Sequence, residues 1–163
     1  MIVLGVDPGI ATTGYGLVDC LPGDSPALVQ FGTIRTPADM AMPDRLLAVF
    51  EGMNAVIARW RPQELAIEEL FFGRNVTNGL AVGQARGVIL LSAALAGLGV
   101  FGYKPAQVKQ SLVGYGSADK HQVQEMLRLT LDLECVPKPD DAADAIAVAI
   151  CHCFHERLRR LID

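Results

Sequence analysis

The sequence lacks the segments that mark secreted, membrane-spanning or disordered proteins. It begins without a basic leader and carries an acid at Asp7, so we expect no secretory signal. The longest uncharged run, residues 87–103, is just short of a membrane span and is interrupted by glycines, which favours a buried helix followed by a buried strand. With 51% hydrophobic and 20% charged residues, the chain is too apolar for disorder. Its 163 residues predict one domain, residues 1–163, around a sizeable core.

Cysteine is scarce and its spacing shows no metal or redox motif. The four cysteines, at positions 20, 135, 151 and 153, include no CxxC pair, and a chain without a leader is expected in a reducing compartment. We therefore predict packed, reduced thiols in a cytoplasmic protein. A zinc site at residues 151–153 needs a further ligand and better spacing, so we expect that segment to lie in an apolar helix.

Positive charge is in deficit, with 14 Lys and Arg against 18 Asp and Glu and a net charge of −4. Taken alone, this total argues against a general nucleic-acid coat protein, which needs a basic excess. The bases are unevenly placed, however, because residues 70–118 contain no acid but hold Arg74, Arg86, Lys104 and Lys109. The distribution predicts a basic surface beside an acidic site.

The sequence does contain a clear succession of strands and helices. Short β-rich runs end at turn residues such as Pro8 and Gly9, and an apolar stripe from Leu46 to Trp60 repeats at helical spacing. The predicted strands cover residues 2–7, 14–19, 28–35, 65–70 and 100–103. The predicted helices are the one ending at Trp60, then residues 75–96, 105–113, 119–131, and one from Asp140 or Asp141 to about residue 161.

This order of elements predicts the fold class. Three strands joined by short connections pair antiparallel, whereas strands separated by helices need crossover connections and pair parallel. The order β-β-β-α-β-α-β-α-α-α therefore predicts an α/β fold with a five-stranded mixed sheet and helices on both faces. In that sheet the first strand is expected to lie beside the fourth.

Four acidic residues lie in or beside apolar segments, where exposure to water does not explain their presence. Asp7 ends an apolar strand, Glu68 lies within another, and Asp141 and Asp144 share one face at the start of the last helix. The predicted sheet brings Asp7 beside Glu68, and packing of the last helix there adds the other two. Adjacent carboxylates repel unless cations neutralise them, and hard oxygen ligands select Mg²⁺ or Mn²⁺. A pair of such ions is a device for in-line cleavage of a phosphodiester.

Each of these acids also has a structural interpretation. Asp141 and Asp144 favour a helix N-terminus electrostatically, and Asp7 before Pro8 suits a turn. Glu68, in mid-strand, is the hardest to explain without a ligand. Its neighbour Glu69 alternates to the other sheet face, so we expect Glu69 to be structural or peripheral.

Short motifs accompany the acids along nearly the whole chain. They are Val6-Asp7-Pro8-Gly9 with Thr13-Gly14-Tyr15-Gly16, Ala66-Ile67-Glu68, Gln84-Ala85-Arg86-Gly87, Val108-Lys109-Gln110, the Gly-rich segment 114–120, and Asp141-Ala142-Ala143-Asp144. Each motif alone is a weak signal. Together, in this order and spacing, they resemble the RuvC family of Holliday junction resolvases.

The resemblance implies a ribonuclease H-like fold and a homodimer that nicks two like-polarity strands of a four-way DNA junction, in homologous recombination and DNA repair. It places the family's acidic metal ligands on Asp7, Glu68, Asp141 and Asp144, with two Mg²⁺ per subunit and Mn²⁺ as a substitute. Some members of the family carry His at the position of Asp141. A branch-migration complex of the RuvAB type is a candidate partner, and a membrane is not expected.

Several residues are candidates for holding DNA. Phe71 and Phe72 follow the strand of Glu68: either one packs inward, or Phe71 stacks on bases opened at the crossover, as the resemblance implies. Lys120 follows the Gly-rich segment and is a candidate catalytic residue that contacts a phosphate or orients the attacking water. The remaining candidate phosphate contacts are Arg74, Arg86 and Lys109. Without the resemblance, the two lysines read as ordinary solvated helix residues.

Three other functions compete with this hypothesis. A phosphotransferase or ATPase lobe needs a second lobe and a second Gly-rich loop, for which 163 residues leave no room. A nuclease of the same superfold acting on RNA is disfavoured by the segments 108–110 and 114–120. A non-catalytic junction-binding module is disfavoured by the four acids, because an idle site gains stability by losing their mutual repulsion.

Overall fold

The computed structural model describes residues 1–21, 23, 25–70 and 76–162. Within them, five strands form one sheet in the order β3-β2-β1-β4-β5. The strands are β1 (Ile2–Asp7), β2 (Thr12–Asp19), β3 (Ala27–Arg35), β4 (Glu64–Glu68) and β5 (Gly99–Tyr103). β1 pairs antiparallel with β2 and parallel with β4, while β2–β3 is antiparallel and β4–β5 parallel. The predicted mixed sheet, with the first strand beside the fourth, is confirmed.

Helices cover both faces of this sheet. They are α1 (Met42–Trp60), α2 (Val76–Leu95), α3 (Pro105–Val113), α4 (Lys120–Thr130) and α5 (Asp140–Ile162). α1 and α2 pack on the face that carries Leu4, Val6 and Ile67, and α3, α4 and α5 close the opposite face over Val3 and Ala66. Each face therefore has its own apolar core, with the sheet between them.

Residues at the helix ends explain where several of the helices begin and end. Pro43 lies in the first turn of α1, where its missing N–H costs no hydrogen bond, and Arg61 ends the helix in a left-handed conformation before Pro62. Asp119 caps α4 by accepting a hydrogen bond from the backbone N–H of Gln122 at 2.9 Å. Asp140 and Asp141 lie inside the first turn of α5, so neither is the residue preceding the helix.

Glycines allow α5 to approach the sheet at backbone distance. A Cβ on Gly5 of β1 would collide with the carbonyl oxygen of Ala145, and a Cβ on Gly14 of β2 would collide with that of Asp141. Gly16 faces Ile146 in the same way. Because these strand positions carry no side chain, the first half of α5 lies directly on β1 and β2.

Residues 87–103 are more exposed than the sequence predicts. In α2 the buried residues are Ala85, Ile89, Ser92 and Ala93, while β5 is an edge strand with Val100 exposed and Tyr103 buried. The prediction of a buried helix and strand is therefore wrong for the outer face of α2 and most of β5. By length and composition α2 is apolar enough to cross a membrane, a test that core helices also pass, and here it packs against α1 and β5.

The prediction of four reduced thiols is wrong for two of them. Cys20, just after β2, and Cys153, on α5, form a disulfide across a Cα–Cα distance of 5.4 Å. The two residues are 133 positions apart in the sequence, so their proximity arises only when α5 packs on the sheet. Cys135 is exposed and Cys151 is buried, and neither is disulfide-bonded.

Replacing Gly5 by alanine tests the close approach of α5. The added Cβ meets the backbone of Ala145 and the side chain of Ala149, so we expect the free energy of unfolding to fall by about 2 kcal/mol or more in thermal or urea unfolding. Gly87→Ala is the matched control, because a Cβ at this exposed helical position has nothing within 4 Å and improves helix propensity. Equal stability of the two variants would contradict the close contact.

Candidate active site

Asp7 and Glu68 end adjacent parallel strands. The register pairs Val6 of β1 with Ile67 of β4, so the next residue of each strand, Asp7 and Glu68, emerges at the same edge. Side chains alternate along a strand. Gly5 faces α5, and so does Ala66, which places Asp7 and Glu68 on the α5 side of the sheet.

Asp141 and Asp144 reach this edge from the first turns of α5. The backbone of Asp141 lies against Gly14, which is the register partner of Asp7 on β2. Asp144 follows three residues later on the same helical face. The glycine contact therefore fixes the start of α5 beside the ends of β1 and β4.

The proximity of these acids is visible in the pKa of Asp7. Burial first, and then the charges of Glu68, Asp144 and Asp141, raise the pKa of Asp7 to about 8, although Lys120 acts in the opposite direction. Burial and the charge of Asp144 likewise raise the pKa of Glu68, which Lys109 opposes. The structure therefore brings together the carboxylates that the sequence singled out, at a cost in electrostatic repulsion.

Lys120 is the cation that partly relieves this repulsion. Its Nζ lies 3.4 Å from Asp144 Oδ2 and 3.3 Å from Asp140 Oδ2. Burial opposes its charge, but the two acids raise the pKa of Lys120. Asp144 is itself raised in pKa by burial, with Lys120 pulling it down. One ammonium group therefore bridges two acids of α5 from the first residue of α4.

A pocket of about 230 Å³ opens beside these groups. Its polar wall consists of two acids and two lysines, and its apolar wall comes from α3, α4 and α5. The lining residues are Glu68, Pro105, Val108, Lys109, Lys120, Val123, Asp144 and Ala147. The pocket therefore combines carboxylates, which can bind a cation, with lysines, which can bind a phosphate.

The other predicted residues lie at different distances from this pocket. Arg86 on α2 donates a hydrogen bond from Nε to the backbone carbonyl of Glu68 at 3.4 Å, so it contacts the end of β4 as well as being available to a phosphate. Glu69 lies beside Gly102 on the opposite sheet face from Glu68. Phe71, Phe72 and Arg74, predicted to contact DNA, fall outside the described residues.

Asp140 is a site residue that the sequence argument missed. Its carboxylate accepts hydrogen bonds from Lys120 and from Gln124 Nε2 at 3.2 Å, and those bonds hold its pKa below the usual value. It also lies 3.4 Å from Lys138 Nζ. Its position next to Asp141 was the available signal, but Asp140 itself was interpreted only as a possible start of the helix.

The donor set fits a hard divalent cation. All four carboxylates offer oxygen ligands, and burial together with the neighbouring acids raises the pKa of Asp7. Among the described residues, no three His, Cys, Asp or Glu side chains already stand at distances that enclose a metal ion. Asp7, Glu68, Asp141 and Asp144 are the candidates to hold such an ion.

The sequence as a whole matches one family. The profile described as crossover junction endodeoxyribonuclease RuvC matches residues 3–152, which include all four acids. The chain belongs to the RuvC family. The RuvC protein of Heliobacterium modesticaldum is 57% identical over 155 residues, covering 95% of this chain and 94% of its own length. That of Chloroflexus aggregans is 56% identical over 154 residues, covering 94% and 93%.

Solved structures agree with this assignment. RuvC of Thermus thermophilus in complex with a Holliday junction substrate superposes with a TM-score of 0.93 at 36% identity, covering 98% of this chain and 96% of that chain. The yeast mitochondrial Holliday junction resolvase Ydc2 shares the fold at 13% identity and a TM-score of 0.67, with 96% and 83% covered. The predicted ribonuclease H-like fold is confirmed, and RuvC membership implies a divalent-metal-dependent nuclease.

The raised pKa of Asp7 predicts how stability varies with pH in a chelator. Between about pH 4 and pH 8 the folded chain retains a proton that the unfolded chain releases, so this group lowers stability as pH rises. Asp7→Asn removes the effect. We expect its melting temperature to exceed that of the parent at pH 8, with the difference shrinking towards pH 5.

Asp39→Asn is the control for this experiment, because it makes the same chemical change on an exposed carboxyl. It should leave the pH profile unchanged. A divalent cation should raise the melting temperature of the parent more than that of Asp7→Asn, since ligand binding stabilises only the chain that binds it. A lower melting temperature for Asp7→Asn than for the parent at pH 8 in chelator would refute the electrostatic account.

Proposed function

We propose that this chain resolves four-way DNA junctions by paired, symmetric nicks in two strands of like polarity, as a step of homologous recombination and DNA repair. The observation that carries the proposal is the convergence of four carboxylates at the ends of β1 and β4 in a chain that belongs to the RuvC family. RuvC of T. thermophilus, with the same fold throughout, has been solved with a Holliday junction substrate. The proposal treats residues 1–163 as one nuclease domain.

The four acids are proposed to hold two Mg²⁺ per subunit, with Mn²⁺ as a substitute. When bound, such a pair supplies an activated water and stabilises the leaving oxygen of an in-line displacement. The carboxylates that would hold the cations come from the ends of β1 and β4 and from the first turns of α5. Among the three acids that raise the pKa of Asp7, Asp141 has the smallest effect.

Lys120 is proposed as a catalytic residue at this pocket. Its ammonium already contacts Asp144 at 3.4 Å and lies in the pocket wall beside Glu68. From this position the ammonium can donate a hydrogen bond to a phosphate oxygen of the bound strand or to the attacking water. Its raised pKa keeps the group charged throughout the physiological range.

The remaining candidate residues are proposed to position DNA. Lys109 lines the pocket, and Arg86 reaches the end of β4, so both lie where a strand entering the pocket places its phosphates. Phe71 and Phe72 are proposed to stack on bases opened at the crossover, and Arg74 to contact a phosphate, on the family resemblance alone. The basic segment 70–118 predicts binding that weakens as salt rises.

A cleavage assay on a synthetic four-way junction tests the proposed chemistry. Wild-type protein should nick the junction symmetrically with Mg²⁺, and should bind it without nicking in a chelator. Asp7→Asn, Glu68→Gln and Asp144→Asn should each lower the nicking rate by about 100-fold or more, because each removes a metal ligand. Junction binding, measured by gel shift, should remain.

Glu69→Gln is the matched control for Glu68→Gln, because the two residues are neighbours on opposite sheet faces. We expect it to cut at close to the parental rate. Persistent cutting by the three carboxylate variants would overturn the metal assignment. Equal cutting of junction and plain duplex would instead overturn the structural specificity.

We further propose that the chain acts as a homodimer through the outer face of α2. Four large apolar residues lie on one stripe of that face, and Val76, Leu80, Leu91 and Leu95 are each between 52% and 70% exposed. They form two exposed pairs, one at each end of α2, and apolar surface of this kind is typical of a region that another protein covers. A two-fold axis through α2 also provides the two sites that paired nicks require.

Leu91→Glu tests the dimer surface. We expect light scattering at micromolar concentration to give a dimer mass for the parent and a monomer mass for this variant, because a buried glutamate would lack a partner. Leu158→Glu is the control, since Leu158 on α5 is 59% exposed and lies away from α2. A monomeric parent, or a dimeric Leu91→Glu, would contradict the proposed interface.

Two wider assignments accompany this function. We propose that the protein works in the cytoplasm, where its DNA substrate lies, and that a branch-migration complex of the RuvAB type presents junctions to it. Both rest on family membership.

A further inference from the structure

A second pocket lies at the far end of α5 from the carboxylates. It has a volume of about 300 Å³, and both members of the disulfide, Cys20 and Cys153, form part of its wall. The rest of the wall combines apolar groups with two arginines. The additional lining residues that matter here are Met1, Leu21, Pro26, Phe154, Arg157 and Arg160.

The disulfide is accessible from this pocket in the folded protein. Cys20 is partly exposed, whereas Cys153 is only 6% exposed. A small molecule in the pocket therefore approaches the bond from the side of Cys20. Such access distinguishes this disulfide from one sealed in a core, which exchanges only when the protein unfolds.

The charges around the pocket favour an anion. Arg157 lies one helical turn after Cys153 on the same face of α5, and its guanidinium donates a hydrogen bond to the carbonyl of Gly23 at 3.2 Å. Arg160 contacts Met1 Sδ at 3.9 Å. The buried acid among the described lining residues, Glu156, is engaged by Arg159 at 3.0 Å and by Arg160 at 4.0 Å.

A further ion pair lies near the bond. The terminal amine of Met1 pairs with Asp19 at 2.8 Å, directly before Cys20. Among the described residues that line the pocket, Glu156 is the carboxylate and pairs with both Arg159 and Arg160, whereas Arg157 forms a hydrogen bond to a backbone carbonyl, so positive charge is in excess. A positive surrounding attracts anions and stabilises a thiolate.

We propose that this pocket is a thiol–disulfide exchange site for an anionic low-molecular-weight thiol of the glutathione class. The thiolate attacks Cys20 Sγ, the more exposed sulfur; a mixed disulfide forms at Cys20, the bond to Cys153 breaks, and Cys153 leaves as a thiolate beside Arg157. A second thiolate then displaces Cys20. The sum is one protein disulfide and two thiols converted to two protein thiols and one oxidised small disulfide, and the oxidised small disulfide drives the reverse reaction.

Opening the disulfide by this exchange is expected to lower the stability of the folded protein. The bond joins the end of β2 to α5 across 133 positions, so opening it releases a large constraint on the unfolded chain. On α5, Cys153 lies nine residues after Asp144, which is about 13 Å along the axis. The disulfide is therefore separated from the carboxylate cluster by more than two turns of α5.

Thiol counting on the native protein tests the exchange. In a Cys135→Ser background, which removes the exposed free thiol, oxidised protein should gain two reactive thiols after treatment with glutathione and no denaturant. Peptide mapping of early time points should find glutathione on Cys20. The melting temperature should fall by about 5 to 10 °C on reduction, and Cys20→Ser should melt at that lower temperature under both conditions.

A comparison of three monothiols tests the role of the arginines. Arg157→Gln with Arg160→Gln should slow reduction by anionic glutathione about threefold or more relative to neutral 2-mercaptoethanol, and should not slow cationic cysteamine. Arg59→Gln, an exposed arginine on α1, is the control and should change no ratio.

Three results would overturn the proposal. One is a protein whose Cys20 and Cys153 remain unbonded in a buffer of mostly oxidised glutathione. Another is release of the two thiols only under denaturing conditions, which would mean that the pocket gives no access. The third is an equal rate change for all three thiols in the double arginine variant, which would mean that the pocket has no preference for an anion.

Discussion

The structure depends on one contact, the packing of the α5 backbone against the glycines of β1 and β2. Gly5, Gly14 and Gly16 carry no side chain towards the helix, so α5 lies closer to the sheet than a side-chain layer would allow. This position decides where Asp141 and Asp144 emerge. A helix held one side-chain layer away would leave Asp7 and Glu68 facing solvent, without the second pair of carboxylates.

The same packing concentrates like charge, so the site works against the stability of the fold around it. Burial and neighbouring acids raise the pKa of Asp7 to about 8, whereas Lys120 acts in the opposite direction. Functional sites commonly carry such local conflicts, which the rest of the structure must overcome. Here two apolar cores, one on each sheet face, supply that stability. A divalent cation bound by these carboxylates would relieve their repulsion and would also complete the proposed metal centre.

Much of this arrangement was predictable, because it depends on the lengths of the connections between strands and on acidic residues within apolar segments. Short connections predicted the antiparallel strands, and the helices between later strands predicted the parallel pairing of β1 with β4. Asp7 and Glu68 were recognisable as carboxylates in apolar strands.

The pairing of Cys20 with Cys153 was not predictable, since 133 positions separate them and only the packing of α5 joins them. The ion pair of Lys120 with Asp140 also depends on how α4 meets α5, which periodicity does not reveal. The exposure of the outer face of α2 was not predictable, because an apolar helix gives the same sequence signal whether or not its own chain covers it.

The chain order of the four carboxylates has a consequence for protein synthesis. Asp7 and Glu68 belong to strands made early, whereas Asp141 and Asp144 belong to α5, which follows every other described helix and strand. A nascent chain that has folded its sheet still lacks half of the proposed metal ligands. The centre is assembled only when α5 has left the ribosome and settled on the glycines of β1 and β2. On the proposed ligand set, copies that end before α5 lack a complete cleavage centre, so the genome meets an active nuclease only after the chain has folded completely.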